Sequence, residues 1–278
     1  MLWLIFEKIN GYKDGSFFTP GFIPMYLCRE TLRRAVVQKF KEFDGKAYEK
    51  IDNYDTLKDA IEYSNKAERA KANVLVDSIK ICDPAVGSGH FLVSALNELL
   101  AIKSDLRILS YRNGNRCSSH KITVANDELI VKNVETDHFF AYQLNQNNQP
   151  IEELQEVQEM LFHEKQTLIE NCLFGVDINP KSVMICQLRL WIELLKNAYY
   201  VQGKNAELET LPNIDINIKC GNSLISRFKL DADLGDVFRS KRFSHQVYLI
   251  TVEAYKSAKD KAAKDELKIF LADIKKSS

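Results

Sequence analysis

Asp83, Gly87, Gly89, Asp177 and Asn222 are the residues whose types and spacing could do chemistry together. The first three sit in residues 79–92, IKICDPAVGSGHFL, where a short apolar run with β-branched residues ends in Asp83. A small-residue turn follows, then an apolar helical pattern from Phe91 to Ile102. Strand, glycine loop and helix start come in the order that a nucleotide-like ligand requires. Glycine lets the backbone approach a ligand closely and take up positive φ. Amides at a helix start favour a carboxylate or a phosphate. By itself, a Gly-x-Gly also serves as a plain strand-to-helix turn.

The spacing narrows the ligand. A dinucleotide fingerprint needs a third glycine three residues after the second, and Leu92 stands there. A P-loop needs Gly-Lys-Ser/Thr after four intervening residues, and no such run occurs in the chain. What remains is an acidic residue, Asp83, at the strand end. A carboxylate suits a cationic amine better than a phosphate. S-adenosyl-L-methionine (SAM) carries such an amine, and its own carboxylate could meet the loop amides.

Two further segments have the same form. Residues 172–180, CLFGVDINP, read as an apolar strand ending in Asp177, with Asn179-Pro180 opening a helix; Asn caps well and Pro is favoured at the first helical position. An acid at the end of the second strand of a doubly wound sheet can accept the ribose hydroxyls of an adenosine. Asp177 could equally do no more than help to start the helix. A third strand, residues 214–219, leads into Cys220-Gly221-Asn222-Ser223-Leu224. There Asn222 could meet an adenine amino edge, or act only as a turn residue.

DPAVGSGHFL, GVDINP and GNSL, preceded by FFTP at 17–20, resemble the cofactor half of adenine-N6 DNA methyltransferases of the γ class, in which the cofactor motifs precede the catalytic one. The resemblance is strongest to the methylase region of type IIG restriction-modification enzymes, and it runs from GYKDGSFFTP to GNSL. It implies an α/β fold: a partial Rossmann-like SAM-dependent methyltransferase core, a mostly parallel sheet with flanking helices, carrying an N-terminal helical region and an inserted β-rich lobe. Carried over residue by residue, Thr19 would contact the methionine carboxylate. Asp83, Ala85, Gly87 and Gly89 would surround the methionine portion. Asp177 would hold the ribose, Ile178 would lie against the adenine face, and Asn222 would meet the adenine amino group. Family members often carry Asp where this chain has Asn222. Thr19-Pro20 also reads as N-cap and first residue of a helix beginning at Gly21.

One family motif is missing. Such enzymes resemble one another in an Asn/Asp-Pro-Pro-Tyr/Phe segment that grips the flipped target base, and this chain contains no Pro-Pro. No catalytic residue is therefore assigned, and the chain by itself is expected to transfer no methyl group. It reads as a segment of a larger enzyme whose partner is double-stranded DNA. Two alternatives remain: a non-catalytic SAM-binding or assembly fragment, and, ranked lower, a small-molecule methyltransferase.

Composition bounds the class. The chain has 278 residues and zero formal net charge, so no overall field draws in nucleic acid. Arg33-Arg34 and the run RSKR at 239–242 are its densest basic spots. Six scattered cysteines form no Cys-x-x-Cys pair, which speaks against zinc and disulfides. His120, His138 and His163 have no metal-ligand spacing. No apolar run approaches the length that spans a bilayer, and the expectation is a cytoplasmic protein.

The elements that must position these residues divide the chain into four parts. Residues 1–73 form an N-terminal helical region, with helices at 21–43 and 54–71. The SAM-binding core comprises 74–104 and 171–245. Residues 105–170 form the inserted lobe, with strands at 122–125, 128–133 and 138–144, a hairpin turn at Asn126-Asp127, and a mostly polar helix at 151–170. A helical tail occupies 246–278. The lobe is read as an appendage, so excising 113–149 is expected to leave the core folded. The helix at 181–200 is apolar around most of its circumference, as in a buried helix, and Arg189 and Glu193 are placed to pair across one turn.

Overall fold

The structure is a computed structural model and describes residues 19–44, 48–61, 65–147, 149–201, 207–209, 211–214, 216–225, 244–258 and 260–277. Phe17, Phe18 and the basic run at 239–242 lie outside them. At its centre is a three-stranded parallel sheet in the order β1-β4-β5, formed by β1 (Ile81–Asp83), β4 (Leu173–Asp177) and β5 (Ile218–Cys220). The register pairs Asp83 with Gly175 and Asp177 with Cys220, so the strands end side by side. This is the α/β, partial Rossmann-like arrangement expected from the sequence.

The helices follow the sequence with local differences. α1 (Phe22–Phe43) begins at Gly21, which makes no side-chain cap; Thr19 does not cap it. The expected second helix is two, α2 (Tyr54–Ala60) and α3 (Lys66–Asp77). Asn53 and Asn65 start them by accepting the amides of Thr56 and Glu68, the role for which short polar side chains are favoured.

α4 (His90–Asp105) follows the glycine loop, and every residue from Leu92 to Lys103 is buried. Four layers enclose it: the sheet, α1, α5 (Glu152–Cys172) and a hairpin. Its buried charges are paired outward. Glu98 meets Arg33 of α1 at 2.8 Å, and Lys103 meets Asp77 at 2.7 Å and Glu164 at 2.6 Å. Arg33 also stacks over Tyr54 at 4.7 Å, so it joins α1, α2 and α4 rather than facing a ligand. Such buried pairs fix the register of helices more than they add stability.

The hairpin is β2 (His120–Ala125) with β3 (Glu128–Asn133). Asn126 and Asp127 turn it at φ 54° and 64°, as a two-residue type I′ turn demands. The third strand expected at 138–144 is reduced to isolated bridges, Lys132 with Phe139 and Leu144 with Pro150. The lobe packs into the core. Ile122 is fully buried in the main core, and its amide donates to Ser104 Oγ of α4 at 2.9 Å.

α5 runs straight into β4, and its Leu161, Phe162, Leu168 and Ile169 are wholly buried. β5 starts later than expected because Asn217 is used as a bracket. Its carboxamide donates to the carbonyls of Ile169, Glu170 and Leu173 at 2.9–3.1 Å. α6 (Pro180–Leu195) is not buried all round: Met184, Leu188, Ile192 and Leu195 form an exposed stripe. Glu193 pairs with Lys165 and Lys196, not with Arg189. The tail is two helices, α7 (His245–Ser257) and α8 (Lys261–Ser277). Among the described residues no helix is long and apolar enough to cross a membrane, and no group of His, Cys, Asp and Glu could hold a metal ion.

Candidate functional site

The exits of β1 and β4 are joined by hydrogen bonds around one carboxylate. Asp177 Oδ2 accepts the amide of Gly87 at 2.9 Å, and Oδ1 accepts that of Asn179 at 2.8 Å. Its carbonyl accepts Gly221 N–H at 2.9 Å, tying in the exit of β5. Val86 N–H donates to Val176 O at 2.9 Å, so the glycine loop folds over the end of β4. Asp83 Oδ1 accepts Ala85 N–H at 3.0 Å. Asp83, Ala85, Gly87 and Asp177 thus belong to one hydrogen-bonded frame.

Three glycines permit this frame. Gly87 and Gly89 have φ of 53° and 80°, the left-handed region where a side chain is strained. A Cβ at Gly89 would lie 2.6 Å from Cys186 Sγ on α6, and one at Gly175 would lie 2.8 Å from Val86. Gly175 went unnoticed in the sequence, although a glycine inside a strand is itself a sign of close backbone approach.

Burial and the neighbouring Asp177 raise the Asp83 carboxyl above its ordinary range, while the Ala85 amide opposes the shift. An ionised Asp83 is therefore short of positive charge, which a bound ammonium would supply. Each Asp177 oxygen has accepted one amide and keeps a further lone pair, so the carboxylate can still take hydroxyl donors. Ile178 is 72% exposed beside it, an aliphatic surface open to a flat ring. This set of acceptors, aliphatic surface and glycine backbone fits SAM.

Two details differ from the sequence reading. The amides of Ala85, Val86, Gly87 and Gly89 all donate within the protein, so they are not free for a ligand carboxylate. Among the described residues, the first amides of α4, which have no intrahelical acceptor, and the Thr19 hydroxyl are candidate donors. Thr19 is exposed and lies two residues before Gly21, where a Cβ would sit 2.9 Å from Cε1 of His90. Asn222 Oδ1 accepts Leu224 N–H at 2.9 Å, an Asx-turn that engages its one acceptor oxygen while leaving its NH2 for other partners.

No local pattern in the sequence marks the group behind the loop. Asp127, at the hairpin tip, accepts from Ser94 Oγ at 2.5 Å and meets His90 Nε2 at 2.8 Å, and its carbonyl accepts Asn97 Nδ2–H at 2.9 Å. These three residues line one face of the first two turns of α4. The inserted hairpin therefore grips the helix that the glycine loop begins.

Residues 59–277 match a family model described as MmeI, DNA-methyltransferase domain. A protein of Methanocaldococcus jannaschii, named as a type II restriction enzyme and methyltransferase, is 32% identical over an alignment of 238 residues that covers 81% of this chain and 16% of that protein. The chain spans about one sixth of the length of this relative.

Proposed function

The chain belongs to the MmeI DNA-methyltransferase domain family, and from that premise we propose that it forms the SAM-binding portion of a site-specific DNA adenine-N6 methyltransferase in a restriction-modification enzyme of type IIG. The observation that carries this reading is the frame at the exits of β1 and β4, with Asp177 holding the glycine loop at Gly87. When bound, SAM supplies an electrophilic methyl group. Asp83 accepts the ammonium group, and its raised carboxyl favours a cationic partner. Thr19 and the first amides of α4 take the carboxylate, beside the turn of Ala85, Gly87 and Gly89. Asp177 accepts the ribose hydroxyls while keeping its two amides, Ile178 covers one face of the adenine, and the Asn222 carboxamide meets its edge. Double-stranded DNA is the partner of the whole enzyme, with the target adenine flipped out of the stack.

The sequence has no Pro-Pro, and with it no segment to hold the target amino group. This favours a second reading for the isolated chain: it binds SAM without transferring methyl. Loss of a near-attack geometry can cost about 7–11 kcal/mol, so incubation with mixed-sequence DNA and tritiated SAM should give background counts. Calorimetry tests the binding. Asp177→Asn, which keeps one acceptor oxygen for the loop amides, should weaken SAM binding more than Asn222→Ala, since hydrogen bonds to a charged group are worth about 1.5–3 kcal/mol against about 0.5–1.5 for neutral ones. No heat at millimolar SAM from a folded chain would overturn the reading, and equal losses would overturn the ranking of the two sites.

A further inference from the structure

A second cavity, of about 300 Å³, lies at the opposite end of α4 from the glycine loop. α4 has 16 residues, which at 1.5 Å per residue puts the two ends about 24 Å apart. Cations from separate parts of the chain converge on this cavity: Lys58 on α2, Arg107 after α4, Arg116 before the hairpin and Lys121 on β2. Asp105 is the one carboxylate among the described lining residues, and it already faces the Tyr54 hydroxyl at 3.5 Å and Arg33 at 3.9 Å. Lys58 has only a loose contact with Asp55 at 3.9 Å. Among the described residues, Arg107, Arg116 and Lys121 have no acidic partner.

We propose that this cavity is a phosphate-binding site, distinct from the SAM crevice and independent of the SAM reading. Ser118 and His120 add a hydroxyl and an imidazole to the lining. Two guanidinium forks and two ammonium groups suit a tetrahedral anion with several acceptor oxygens. The volume is at the lower end of small-ligand sites and leaves room for more than the bare anion. The shared chemistry is the phosphate group, whether free, on a nucleotide or in a nucleic-acid backbone. Arg107 is held in place by the C-terminal turn of α4: at φ 59° its N–H donates to Ser104 O at 3.0 Å and that of Ile108 to Lys103 O at 3.1 Å, the Schellman pattern that ends many helices.

Inorganic phosphate, adenosine monophosphate and a short mixed-sequence duplex serve as probes in calorimetric titrations of the chain. The variants are Arg107→Asn with Arg116→Gln, and separately Lys121→Glu. Asn tolerates the left-handed backbone at 107. Arg34→Gln, on the exposed face of α1, is the control. The expected result is binding of at least one probe that weakens at least tenfold, about 1.4 kcal/mol, in both variants and not in the control. Sensitivity of the duplex alone assigns the site to backbone phosphate; sensitivity of inorganic phosphate or the mononucleotide assigns it to free phosphates. SAM binding should be unchanged in every variant. No binding of any probe at about 10 mM, or binding that neither variant weakens, would overturn the proposal.

Discussion

Gly89→Ala should destabilise the chain through a contact that can be removed separately. The residue sits at φ 80° and ψ 23°, where an alanine costs about 1–2 kcal/mol. Its new methyl would meet Cys186 at 2.6 Å from Sγ, 3.3 Å from Cβ and 3.4 Å from Cα. Cys186 is fully buried on α6 and burial pushes its thiol up to about 12, so it acts as an inert packing group without room to withdraw. Overpacking of this kind costs about 1–3 kcal/mol. The total of about 2–5 kcal/mol is a large share of the ~5–15 that holds a domain folded. Cys186→Ala removes Sγ, the atom in conflict, and leaves the backbone strain. Urea unfolding of the two single variants and the double variant should give a favourable coupling of about 1–3 kcal/mol, with the remaining loss due to φ. Additivity within about 0.5 kcal/mol would refute the packing argument.

Two other outcomes follow from the core. Excising residues 113–149 should abolish the cooperative melt, against the expectation from sequence. The segment holds Ile122, whose truncation to alanine alone should cost about 2–5 kcal/mol, and Asp127, on which His90, Ser94 and Asn97 depend; a deletion variant that still melts cooperatively would restore the appendage view. Lys165 is lowered from 10.5 to about 8, chiefly by burial. Because its folded value lies below the unfolded one, the unfolded chain binds more protons between about 8 and 10.5, and stability rises with pH across that window by up to about 3 kcal/mol. Denaturant curves for wild type and Lys165→Met should converge or cross between the two limits, and curves that stay parallel would sink the assignment.

What the sequence made legible was local. The strand, glycine loop and helix at 79–102 and the Asn179-Pro180 start of α6 lie within short windows, so spacing alone located them. The Asn126-Asp127 turn was legible for the same reason. Thr19 misled as a cap because Thr-Pro is a good helix opening in general, while here the helix begins two residues later. α6 misled because an all-round apolar pattern reports two apolar faces without saying that both are covered; in the described structure one rests on the sheet and the stripe through Met184 and Leu188 is exposed. Asp127 was illegible because its partners are 30 to 37 residues away, and no local pattern encodes that contact.

Asp127 and Asp177 change how acidic residues around a glycine loop should be read. A motif assigns Asp177 to the ligand, yet the amides of Gly87 and Asn179 already engage it, and Asp127, which no motif marks, is engaged by Ser94 and His90. Asp177 therefore builds the crevice whether or not it touches a ribose. An alanine there would open the loop as well as remove an acceptor, and weaker binding alone could not separate the two effects. Asparagine keeps one acceptor oxygen and loses the charge. If Asp177 acts only as a brace, Asp177→Asn should reduce stability and SAM affinity in proportion, through the loop. If it also holds the ribose, affinity should fall further than stability predicts, because charge-assisted bonds are lost at the ligand itself.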